Sequence, residues 1–142
     1  MKVIKVATDE ELNAAYHVRK SVFVDEQHVP IEEEIDHFEE KSIHFIGRNG
    51  NQVVGASRLR FEEDYGKLER ICVLKPYRGK SYGKLLIQHM EDEIKNHGYS
   101  KAKLHAQTNA KQFYERFGYQ IISDEFMDAG IPHVAMTKEL IK

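Results

Sequence analysis

The run Lys75-Pro76-Tyr77-Arg78-Gly79-Lys80-Ser81-Tyr82-Gly83-Lys84 lies between the apolar stretches Ile71-Cys72-Val73-Leu74 and Leu85-Leu86-Ile87, and it constrains this chain more than any other segment. The pattern predicts a buried strand that turns through a basic, glycine-containing loop into a helix. Such a turn leaves backbone N–H groups unpaired at the positive end of a helix dipole, a ready site for phosphate. Four cationic side chains and no carboxylate fall within these ten residues, while the whole chain has a formal charge of -2. The positive charge is therefore local, and the expected ligand is a phosphorylated small molecule rather than a nucleic acid.

Spacing narrows the ligand. A G-x-x-x-x-G-K-[ST] loop needs a glycine five residues before Gly83 and Ser or Thr after Lys84, where this chain has Arg78 and Leu85. A G-x-G-x-x-G fingerprint needs a glycine at 81, and Ser81 stands there. What remains is R-x-x-S-x-G, Arg78 through Gly83. It resembles the acyl-CoA pyrophosphate loop, R-x-x-G-x-G/A, of the GNAT superfamily of N-acyltransferases, with Ser81 replacing the usual glycine. A Cβ at 81 opposes close approach of the backbone to pyrophosphate, whereas the hydroxyl can itself donate to a phosphate.

A second segment is Gln107-Thr108-Asn109-Ala110-Lys111-Gln112-Phe113-Tyr114-Glu115-Arg116-Phe117-Gly118-Tyr119. Ala110, Phe113, Tyr114 and Phe117 recur at helical spacing and Gly118 supplies a left-handed stop, so a short helix feeding a strand is predicted. The segment resembles the later part of the GNAT pattern, Asn-x-x-Ala-x-x-Phe-Tyr-Glu-x-x-Gly-Tyr/Phe, with Gln107 where asparagine is usual. By that resemblance Tyr114 is the proton donor; taken alone, a tyrosine reads more readily as a core aromatic whose hydroxyl meets a backbone carbonyl. A third likeness spans Val18-Arg19-Lys20-Ser21-Val22-Phe23-Val24-Asp25-Glu26-Gln27-His28-Val29-Pro30, Glu33-Glu34-Ile35-Asp36 and Lys67-Leu68-Glu69-Arg70-Ile71-Cys72-Val73. These are similar to the small bacterial ElaA-like or YjcF-like branch, which implies acetyl-CoA as donor and no particular acceptor.

At 142 residues and 41% hydrophobic, the chain suits one domain, residues 1–142, with a sufficient core. The single cysteine, Cys72, excludes an internal disulfide and suits a reducing compartment. The start, Met1 to Ala7, reads as neither signal peptide nor membrane span, so a cytoplasmic protein is expected. The eight histidines are scattered without metal-ligand spacing, and no metal is expected.

Along the chain, Lys2 to Ala7 reads as a strand and Thr8 or Asp9 as the cap of a helix with Leu12, Ala15, Tyr16, Val22 and Phe23 on its apolar face. Pro30 ends that region, and Glu32 to Glu40 is a weaker helical candidate. Strands are predicted over Ile43 to Arg48, Gln52 to Phe61 and Lys67 to Leu74, with turns at Asn49-Gly50-Asn51 and Glu63-Asp64-Tyr65-Gly66. A helix on Tyr82, Leu86, Met90 and Ile94 stops at Gly98; strands follow at Lys101 to Gln107, Tyr119 to Ser123 and His133 to Thr137. This is a mixed α/β order. It matches the GNAT acyl-CoA N-acyltransferase fold, for which the resemblance implies an α+β arrangement of six to seven strands, about four helices and splayed central strands. The resemblance further implies that main-chain groups of Ile71, Cys72 and Val73 pair with the acyl-CoA arm. An N–H near Val73 then polarises the thioester, and Arg78, Gly79, Lys80, Ser81, Tyr82, Gly83, Lys84, Gln107, Asn109 and Phe113 complete the cofactor site.

Proton accounting supplies the candidate base. An amine with pKa about 10.4 is mostly ammonium at neutral pH and must lose a proton before it attacks. On an unbroken strand Glu69, Ile71 and Val73 share one face, which makes Glu69 the preferred base; its alternative is an ion pair with Arg70, Arg58 or Arg60. Covalent catalysis by Cys72 lacks a signalled His partner, and His105, on the face of Gln107, reads as structural. Arg58 and Arg60 fit either an acidic acceptor or neighbouring acids. Asp25 to Glu40 holds eight carboxylates and no Lys or Arg, which fits a solvated face or a rim for a cationic amine. The expected function is acetyl-CoA-dependent N-acetyl transfer to a small-molecule or peptide amine, without nucleic acid or membrane partners and with homodimerisation left open. The competing class is a non-catalytic acyl-CoA sensor of the same fold.

Overall fold

The computed structural model describes residues 1–140. Strand β1 (Lys2–Lys5) leads to helix α1 (Asp9–Arg19), whose start is fixed by a capping box. Thr8 Oγ1 accepts from the Glu11 N–H at 3.1 Å, and the Glu11 carboxylate accepts from the Thr8 and Ala7 N–H groups at 3.2 and 2.7 Å. The apolar spacing that predicts one continuous helix through Phe23 widens after Arg19 into a π-helical segment, Lys20–Glu26, which ends at a left-handed His28 (φ 63). The acidic stretch is not a second long helix. It makes one turn, α2 (Ile31–Glu34), and a 3-10 turn, Glu39–Lys41, because several of its carboxylates turn inward to arginines rather than lining a solvated face.

Strands β2 (Ile43–Asn49), β3 (Gln52–Glu62) and β4 (Tyr65–Val73) form an antiparallel meander. The loop then enters helix α3 (Tyr82–Asn96), strand β5 (Lys101–Gln107) and the short helix α4 (Lys111–Glu115). Strands β6 (Gln120–Ile121), β7 (Phe126–Asp128) and β8 (Ile131–Glu139) complete the chain. The sheet order is β1-β2-β3-β4-β5-β8-β6 with β7 paired to β8, eight strands in all. The strand expected over 119–123 is thus only two residues long, and β7 and its hairpin were unforeseen. Ala129 and Gly130, both left-handed (φ 52 and 74), form that hairpin turn.

Two apolar clusters sandwich the sheet. Leu59, Leu68, Leu86, Ile87, Met90, Ile94 and Met136 pack under α3; Ala15, Val18, Ile46, Ala56 and Cys72 pack under α1. Gly66 is required at the first interface, since a Cβ there would collide with the Ile94 side chain.

Two irregularities of β4 shape everything that follows. First, it pairs with β5 only over Gly66–Leu68 and Ala102–Leu104, so the two strands separate beyond that point. Second, Ala56 pairs with Cys72 but Arg58 with Glu69, so one residue of β3 faces two of β4, and Arg70 there has φ 57. This bulge overturns the unbroken alternation expected of the strand. Glu69 and Cys72 face α1, whereas Ile71 and Val73 pack against the α3 cluster.

Candidate active site

The gap between β4 and β5 opens into a cavity of about 1010 Å³. Glu69, Ile71, Cys72 and Val73 line one side, Gln107, Phe113 and Tyr114 another, and Arg78, Gly79, Ser81, Tyr82, Gly83 and Lys84 its basic end. Of the residues singled out from sequence, Lys80 and Asn109 are not part of this lining.

The basic end is built as the sequence pattern requires. No backbone acceptor among the described residues is paired with the N–H groups from Gly79 to Lys84; the first such bond is Leu85 N–H to Ser81 O at 3.3 Å. Gly79 has φ +79, with open space where a side chain would stand. Ser81 is also left-handed (φ 64, ψ 21), and its side chain makes no capping bond. The cost of serine at this position therefore lies in backbone strain, about 1–3 kcal/mol, and the geometry is one that glycine would adopt freely. Arg78 places its two terminal nitrogens 2.7 Å from the two Glu26 carboxylate oxygens, and its Nε donates to Val73 O at 2.8 Å.

Leu74 N–H donates to Val54 O at 2.8 Å, which makes Val73 and Gly55 a non-hydrogen-bonded pair. The Val73 N–H and C=O consequently point away from β3, into the gap. Across it the Tyr114 hydroxyl has no hydrogen-bond partner among the described residues, so the backbone carbonyl expected of a purely structural tyrosine is absent. Burial pushes its pKa up to about 12, which keeps the phenol protonated at neutral pH.

The sequence matches the family described as "Acetyltransferase (GNAT) domain" over residues 4–140. The chain belongs to the GNAT acetyltransferase family. It is 46% identical over 140 residues to the uncharacterized N-acetyltransferase YjcF of Bacillus subtilis, covering 98% of this chain and 100% of that one. The crystal structure of Escherichia coli ElaA superposes with a TM-score of 0.87 at 24% identity, over 97% of this chain and 99% of that one. That of an acyl-CoA N-acyltransferase from Pseudomonas aeruginosa does so with a TM-score of 0.87 at 22% identity, over 96% and 98%. These two show the fold. Acetyl-CoA-dependent N-acetylation is the general activity of GNAT proteins.

Within this GNAT cleft the carboxylate expected to act as base is otherwise engaged. Glu69 accepts from Arg58 at 2.7 and 3.0 Å and from Arg60 at 2.7 and 3.1 Å, with Lys67 Nζ at 3.2 Å. Burial alone would raise its pKa, yet the Arg60 hydrogen bonds and the charges of Arg58 and Lys67 hold it at about 2. The ion-pair alternative is the one the geometry realises, and the same-side placement of Glu69 and Val73 is corrected by the bulge. Burial pushes the Cys72 thiol up to about 12, so no thiolate is available for covalent catalysis.

Glu69 is one corner of a wider network, of which sequence reasoning anticipated only its pairs with Arg58 and Arg60. Arg19, fully buried, reaches Glu34 at 2.7 Å and Glu39 at 2.8 Å; Arg58 reaches Asp36 and Glu39 at 2.8 Å; Arg70 reaches Glu34 at 2.9 Å. These bonds tie the acidic stretch to the sheet beside the cavity. Glu32 and Glu33 stay exposed at its rim. Gln107 donates to Gln27 Oε1 at 2.7 Å, which joins the end of β5 to the end of the π-helical segment.

Proposed function

We propose that the chain transfers the acetyl group of acetyl-CoA to a primary amine by direct attack, with both substrates bound at once. The observation that carries this reading is that three features line one cavity: the loop residues Gly79, Ser81, Tyr82, Gly83 and Lys84 with their unpaired N–H groups, Val73 with its N–H turned away from β3, and Tyr114 with its unpartnered hydroxyl.

Bound acetyl-CoA supplies a thioester carbon open to attack and a thiolate leaving group. The Gly79 to Lys84 N–H groups and Arg78 hold pyrophosphate at the end of α3. The Val73 N–H is directed at the oxygen on which charge develops, where a fixed donor lowers the barrier most. Tyr114 donates its proton to the departing sulfur. Glu69 contributes by holding Arg58 and Arg60 in place, since a carboxylate with pKa about 2 is too weak a base to relieve an ammonium of its proton at neutral pH.

The test is release of CoA thiol from acetyl-CoA with and without a panel of n-butylamine, putrescine, L-lysine and a lysine-containing tetrapeptide. Amine-dependent release supports transfer. Tight acetyl-CoA binding with no release for any amine supports a non-catalytic acyl-CoA sensor instead.

A further inference from the structure

With Glu69 engaged, the acceptor's first proton needs another destination, and a histidine that sequence reasoning left unremarked stands at the right wall. His133 lies on β8, paired with Gln107 of β5 on one side and Phe126 of β7 on the other. It is 9% exposed and lines the cavity. Its Nδ1 is 2.7 Å from the carbonyl oxygen of Ile131. A carbonyl only accepts, so Nδ1 carries the hydrogen and Nε2 of the neutral ring presents a lone pair. Nε2 has no partner among the described residues and is not among their buried unpaired atoms, so it is not sealed off, and the residue forms part of the cavity wall. Phe126 stacks on the ring, 6.1 Å between centroids and 23° between planes, and limits its rotation.

We infer that His133 is the base of the reaction, taking the first proton of the acceptor ammonium on Nε2; this rests on the acetyl-transfer reading above. The remaining histidines fit the role less well. His44 is buried away from the cavity, with Nε2 on Glu39 O at 2.9 Å. His105 makes no hydrogen bond among the described residues that would fix its tautomer. The charged or titratable groups on the elements packed against His133 are Lys101, Lys103 and His105 of β5 and Asp128 of β7, while Glu125, just before β7, is turned to Thr108 at 2.9 Å.

The balance closes. The ammonium N–H bond breaks to Nε2, giving an imidazolium whose Nδ1–H stays on Ile131 O. The freed lone pair forms the C–N bond, and the C–S bond breaks. The thiolate takes the Tyr114 proton, the new amide nitrogen returns its second proton to the phenolate, and His133 gives up the first to solvent. One proton is released per acetyl group moved.

The test compares wild type, His133→Gln, His133→Asn and His105→Gln, each first shown by acetyl-CoA-dependent melting to be folded. Log kcat/KM is then followed from pH 5 to 10 with the amine panel above. Wild type is expected to show an acid limb, along which the rate falls as the base becomes protonated. Both His133 variants are expected to lose that limb and about 10²-fold in kcat/KM at pH 7, with the acetyl-CoA Kd within twofold of wild type. His105→Gln is expected to keep the limb. A folded His133 variant with the wild-type profile overturns the inference alone, as does loss of the limb in His105→Gln. A wild-type chain that binds acetyl-CoA but turns over no amine overturns the transfer reading and this inference with it. Because Nδ1–H donation to Ile131 is a property of the resting protein, ¹⁵N shifts of the His133 ring give a readout independent of turnover, and an Nε2–H tautomer overturns the assignment.

Discussion

Arg78 grips Glu26 through both carboxylate oxygens at 2.7 Å, so the arginine proposed to bind pyrophosphate already holds an anion. The phosphate must displace that carboxylate or share the guanidinium with it. Both side chains are 38% exposed, and such pairs are worth about 0.2–1 kcal/mol. Glu26→Gln is therefore expected to tighten acetyl-CoA by roughly twofold to fivefold at low salt, measured by titration calorimetry, with the gain shrinking as salt is raised. Weaker binding would show that Glu26 orients Arg78 for the cofactor rather than competing with it.

Ser81 is a strained residue at the start of α3 (φ 64). Replacing it by glycine relieves about 1–3 kcal/mol of strain but adds about 0.4–1 kcal/mol of unfolded-state entropy. Ser81→Gly is expected to raise stability slightly and to leave acetyl-CoA affinity unchanged or better. A tenfold loss of affinity would identify the hydroxyl as a phosphate ligand.

Glu69 links stability to pH. Its pKa of about 2 in the folded chain lies below the ordinary glutamate value of about 4.3, so its contribution is fully present above that ordinary value. It is lost as pH falls from about 4.3 to about 2, and amounts to about 3 kcal/mol. Glu69→Gln leaves Arg58 and Arg60 without their shared carboxylate, and breaking a buried pair costs about 3–5 kcal/mol. Urea unfolding is expected to show that loss at pH 7 and a much smaller difference near pH 2. The alkaline rise of the rate is expected to survive in whatever fraction stays folded; its disappearance would return Glu69 to the role of base.

Tyr114→Phe keeps the ring that packs beside Phe113 and removes the hydroxyl with its proton. Turnover is expected to fall on the order of 10²–10⁴-fold with the acetyl-CoA Kd nearly unchanged. Full turnover would mean that the thiolate leaves unaided or finds another donor.

The parts of this account that were legible in the sequence are the local ones. Arg78 to Gly83 and Phe113 to Tyr119 each carry their meaning within a few residues, and the structure gathers most of them around one cavity. The bulge at Arg70 was not legible, because a left-handed residue in mid-strand has no signature when it is an arginine. Nor was the network joining Arg19, Arg58 and Arg70 to Glu34, Asp36 and Glu39, since ion pairs made across such separations leave no local period. His133 gave one faint signal, a lone histidine among apolar residues in the last strand. Its place beside Gln107 depended on the β5–β8 register, which is set only on folding.

The central claim is that the acetyl group passes directly from acetyl-CoA to an amine. Incubating the chain with [1-¹³C]acetyl-CoA and the primary-amine panel, and measuring labelled amide against released CoA by mass spectrometry, tests it most directly. One labelled amide per CoA, absent without amine and greatly slowed in Tyr114→Phe, is the expected result. Bound acetyl-CoA with no labelled amide on any acceptor would contradict it.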